Sequence, residues 1–193
     1  MDYFYHLFIG SKAPTASTPE DEVYPLYTLD DSNGTRNLFL TWVLRFNDVL
    51  DAQMLHDSLS RLLEICDWRK LGGRLRMTKK GNLEIHSPRR FTPERPAIAF
   101  SHDQNLELGI EEHSVAQHLP KQAGSPFTTP LSVDFRPLIG LPTMPITIKE
   151  LISQDTPQLR LHITSFKDAT LVALSRPHTL MDAMGYQALL NKE

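Results

Sequence analysis

The stretch LRLHITSFKDATLVALSRPHTLMDAMG, residues 159–185, decides how this chain is read. Leu159–Phe166 alternates apolar and polar side chains, the period-two pattern of a strand. Lys167-Asp168-Ala169 supplies a turn, and Thr170–Leu174 reads as a second strand antiparallel to the first. Ser175–His178 is expected to leave that strand. A final helix is expected to start at or near Asp182, with Met184, Ala188 and Leu189 on one side. His178 directly follows Pro177, and Asp182 comes four residues later. An unperturbed imidazole titrates at about 6.5, so a histidine held at a strand end by a nearby acid suits general-base work at neutral pH.

Taken bare, H-x-x-x-D is a weak pattern. It also describes a histidine at a helix start with Asp182 as cap or surface acid. Positions i and i+4 share a helix face and could hold zinc, but no further ligands stand out, so no metal is expected. Arg176 reads either as an exposed strand-end arginine or as a cation that would lower the pKa of a neighbouring imidazole.

Working outward, Leu38–Phe46 (LFLTWVLRF) is dense in β-favouring apolar residues and reads as a largely buried strand. Asp51 offers an N-cap, and Met54, Leu55, Leu59, Leu62 and Leu63 recur at helical spacing, so Asp51–Cys66 reads as a helix. Gly72-Gly73 breaks it. Arg74–Met77 and Leu83–Ile85 flank Lys79-Lys80-Gly81-Asn82 as a hairpin. Residues 11–23 read as an irregular segment. Residues 87–145 read as a loop-rich connection, because prolines recur through them, with a short helix at Gly109–His118. Thr147-x-x-Glu150 is a capping box for another short helix. The pattern predicts an α+β (mixed α/β) fold, with residues 1–193 forming one domain.

Composition excludes several function classes. Of the 193 residues 40% are hydrophobic and 22% charged, a globular balance. A net charge of −3 gives no general attraction to nucleic acid or anionic membranes, and neither partner is expected. Arg69, Lys70, Arg74, Arg76, Lys79, Lys80, Arg89 and Arg90 read as the solvated face around the hairpin. The one cysteine, Cys66, excludes an internal disulfide, suits a reducing, cytoplasmic location, and reads as a packing residue at a helix end. No apolar run approaches the roughly 20 residues that span a bilayer, and Met1–Gly10 lacks the basic start of a secretory signal.

Several segments, taken in order, resemble one family. They are the strand Leu38–Phe46, the helix Leu55–Leu63, Leu71-Gly72-Gly73-Arg74-Leu75, a hairpin carrying Gly81 and Ile85, and the block Leu159–Gly185. Together they resemble the BAHD-type acyltransferases, in their fungal branch within the chloramphenicol-acetyltransferase-like superfamily. The resemblance covers the N-terminal half of such enzymes. It implies a mixed β-sheet flanked by helices, with the C-terminal domain and its D-F-G-W-G-type motif missing here. Family members commonly show H-x-x-x-D-G; Ala183 takes that glycine's place, and Gly185 follows two residues later.

By resemblance, His178 is the general base that takes a proton from a hydroxyl or amine of a small secondary metabolite as it attacks acyl-CoA. Asp182 is structural, orienting the loop or the imidazole. Acyl-CoA is a co-substrate and no cofactor stays bound. The resemblance leaves open a non-catalytic truncated product or interaction module. It also leaves open a split enzyme that needs a complementary C-terminal half or self-association. A peptide-synthetase condensation domain is the nearby alternative, but it usually carries two consecutive histidines where Pro177-His178 stands here.

Overall fold

The computed structural model describes residues 21–121, 124–125, 128, 134–140 and 145–190, and it distributes them over two β-sheets and four α-helices. The smaller sheet has the order β1 (Asp21–Pro25), β4 (Leu83–Pro88), β3 (Arg74–Met77), all antiparallel. The larger has the order β2 (Phe39–Phe46), β7 (Thr170–Pro177), β6 (Arg160–Phe166), β5 (Ala99–Asn105). Its β5–β6 pair is parallel and its other pairs antiparallel, so the fold is mixed α+β. A short helix, α1 (Asn33–Arg36), precedes β2.

The period-two pattern of residues 159–166 works as expected. Leu161 and Ile163 point into the main core, which they share with Leu75 and Ile85 of the hairpin and Leu174 of β7. The opposite face is covered as well: Phe166 and Leu171 pack with Ile110, Ala116 and Leu138. On that face Ser101 Oγ and His162 Nδ1 lie 2.8 Å apart, with the Arg160 guanidinium 3.3 Å from the same hydroxyl.

The helix α2 (Ala52–Leu62) starts where Asp51 accepts a hydrogen bond from the Met54 N–H at 2.9 Å. It ends four residues short of Cys66, and Cys66–Gly72 continues as a 3-10 turn. Gly73 is required by packing, since a Cβ there would stand 2.3 Å from Ile85 Cγ2. Thr147 and Glu150 form the reciprocal capping box of α3 (Ile148–Gln154).

Other expectations are corrected. Leu38–Phe46 is not largely buried: β2 is the edge of its sheet, and Trp42, Val43 and Phe46 are each more than a third exposed. Asp21–Val23, expected to be irregular, belong to β1, while residues 11–20 lie outside the described residues. Within 87–145, β5 is a strand of polar sequence (AFSHDQN) with no apolar alternation, held by its register with β6. Gly109–His118 is mostly turns, with a single 3-10 turn at Ala116–His118. Cys66 is exposed and sits at φ 42°, so it is not a packing residue.

The basic hairpin is not uniformly solvated. Arg74 is buried, its guanidinium donating to the carbonyls of Gly72 at 2.9 Å and Pro96 at 2.8 Å. Arg76 pairs with Asp155.

Candidate active site

β7 delivers the H-x-x-x-D segment. Its ladder with β2 runs to its last residue, Pro177, which faces Phe39. Ser175–Pro177 therefore stay in the strand they were expected to leave, because pairing with β2 carries the ladder beyond the apolar run. The His178 N–H then donates to the Leu38 carbonyl at 2.8 Å, and the Leu180 N–H closes a turn onto the Pro177 carbonyl at 3.2 Å. The His178 ring is half-buried and has no hydrogen-bond or ion-pair partner among the described residues. It is a backbone-fixed imidazole with its nitrogens uncommitted, as a proton acceptor requires.

Asp182 is exposed and points elsewhere. Its Oδ1 accepts the Gly185 N–H at 2.8 Å, capping the first turn of α4 (Ala183–Leu190). His178 and Asp182 thus flank one turn, but among the described residues no hydrogen bond or ion pair joins their side chains, and the carboxylate serves the helix start. On α4, Tyr186 and Leu189 are the buried residues; Met184, expected to pack, is 69% exposed.

Arg176 is not an exposed strand-end arginine, the first of its two readings: it is 1% exposed. Its Nη2 donates to the Asp182 carbonyl at 3.3 Å, and its guanidinium lies 4.7 Å from the centre of the Tyr186 ring. Trp42 of β2 packs against that ring, with the centroids 4.1 Å apart and the planes inclined at 45°. Burial pushes the Tyr186 hydroxyl up to about 12 and holds Arg176 below the usual guanidinium value. A sequence signal for Arg176 existed. Val172, Leu174 and Arg176 alternate along β7, and the first two face the main core. Among the described residues no three His, Cys, Asp or Glu side chains gather as a metal site, and no helix is long and apolar enough to cross a membrane.

No established family profile matches the chain. Curated relatives do. It is 45% identical to O-acetyltransferase PaAT-2 of Phomopsis amygdali over 174 residues, covering 90% of this chain and 35% of that protein. It is 44% identical to Acetyltransferase BOT5 of Botryotinia fuckeliana, over 89% of this chain and 32% of that one. The chain is thus similar, over about nine-tenths of its length, to fungal acetyltransferases, a likeness that supports an N-terminal-half BAHD-type acyltransferase. It spans about a third of the length of these relatives. The fold agrees with that of F. sporotrichioides TRI101, crystallised with coenzyme A and T-2. The TM-score is 0.55 at 13% identity, over 88% of this chain and 39% of that one. The chloramphenicol-acetyltransferase-like fold is thus shared, although few residues are.

Proposed function

We propose that this chain is the base-bearing, N-terminal domain of an acyl-CoA-dependent acyltransferase that modifies a hydroxyl or amine of a small secondary metabolite. The placement of His178 carries the reading: a half-buried imidazole free of partners, at the end of a central strand, with its amide tied to β2. The acetyltransferase names of the relatives support it, and a CoA-bound protein of the same fold supports CoA as the carrier. In this reading His178 removes the acceptor's proton as its oxygen or nitrogen attacks the thioester carbonyl. The C–S bond then breaks, and the imidazolium returns the proton to the departing CoA thiolate. No acyl-enzyme forms. Asp182 holds the turn, not the proton.

The remaining CoA and acceptor surfaces are assigned to a complementary C-terminal part, given the fraction of the relatives that this chain spans. A non-catalytic interaction module is the second reading, resting on that same fraction.

The test is CoA thiol release from acetyl-CoA with a panel of hydroxylated small molecules, beside CoA binding by calorimetry. His178→Ala is expected to lower turnover by about 10²–10⁴-fold at unchanged melting temperature. A fully active His178→Ala protein overturns the base assignment. A wild type that neither binds CoA nor releases thiol, even when mixed with the complementary C-terminal part of a relative, favours the interaction module.

A further inference from the structure

We infer that Arg176 is a positioning residue, whose buried guanidinium clamps the far end of the His178–Asp182 turn and so aims the imidazole. The inference rests on the base assignment to His178.

The turn leaves β7 with one end secured, by the His178 N–H on the Leu38 carbonyl. The other end is the Asp182 carbonyl, where α4 begins. That carbonyl accepts from two directions: the Tyr186 N–H at 3.2 Å from within the helix, and Arg176 Nη2 at 3.3 Å from the strand. The guanidinium therefore ties the strand before the base to the residue after the turn. Tyr186, one helical turn beyond Asp182, covers the guanidinium face and is itself backed by Trp42. Strand, turn and helix thus meet on one side chain.

A structural role alone accounts poorly for the choice of arginine. Among the described residues Arg176 has no carboxylate within ion-pair distance, and its Nε and Nη1 are buried with no hydrogen-bond partner. Burying a cation this way is unfavourable, and an apolar residue would pack the same space more stably. A rigid, planar donor at fixed reach from the turn is what arginine adds.

Wild type, R176M, R176K and H178A are compared by steady-state thiol release and by amide hydrogen exchange. R176M is expected to lower kcat by about tenfold or more, with KM for acetyl-CoA changed by less than about twofold and the acid limb of the pH profile unmoved. Exchange at 178–186 should quicken by about tenfold while the centres of β6 and β7 stay protected. R176K, which keeps a donor and loses the planar stack, should fall between R176M and wild type in both readouts, and it decides the question if R176M does not fold. Wild-type kcat and wild-type exchange at 178–186 in R176M, or in R176K if R176M does not fold, overturn the clamp. So does faster exchange spread evenly over both sheets. Activity surviving in H178A defeats the base assignment separately. If wild type shows no turnover, the exchange pattern alone decides.

Discussion

At the scale of single residues, Asp182 and His178 occupy one motif but answer to different forces. Asp182 bonds to a backbone N–H at a helix start, so its removal is a stability change before it is a catalytic one. Asp182→Ala should cost about 0.5–2 kcal/mol in urea denaturation, and Asp182→Asn, which retains a capping oxygen, much less. Equal losses for the two would show that the carboxylate's charge, not its cap, matters. His162 is a different case: buried, beside Ser101 and Thr164. Burial lowers its pKa first; Arg160 and His102 push the same way, and Asp103 opposes. The unfolded chain therefore takes up a proton at about pH 6.5, where the folded one does not. Stability from this residue is present above that pH and is lost as the pH falls through the lower folded value. Its slope is at most about 1.4 kcal/mol per pH unit. Urea midpoints at pH 7 and pH 5 should converge in His162→Gln relative to wild type.

At the scale of elements, β2 is the exposed one. Its outer edge pairs with no described strand, and Trp42, Val43 and Phe46 are partly open. Such an edge invites pairing with another chain, and a lysine on it discourages this. Val43→Lys is expected to shift the protein toward monomer on size exclusion at micromolar concentration; an unchanged profile would mean that β2 is not the contact. Legibility in the sequence divided along similar lines. Elements with a period of their own were readable: β6, β7, α2, the hairpin and the capping box of α3 all follow from side-chain spacing. β5 was not, because Ser101, His102, Asp103 and Gln104 carry no alternation, and the strand exists only through its neighbour. The site divided the same way. His178 and Asp182 stood out as a motif and the alternation of β7 put Arg176 on the core face, whereas the tyrosine and tryptophan beside its guanidinium meet only in the fold.

At the scale of the whole molecule, both sheets share one core, with Leu75 and Ile85 of the hairpin packed into the same cluster as Leu161, Ile163 and Leu174. His178 therefore sits where a central strand of the domain ends, in the turn just beyond β7. The β2–β7 register has a further consequence, for the order of folding. Phe39 must find Pro177, so the ladder that ends beside His178 closes a loop of well over a hundred residues. Such long-range pairings form late and slowly compared with local hairpins such as β3–β4. The turn that bears His178 is thus expected to be among the last pieces of the chain to acquire its shape, so its geometry reports that folding has finished.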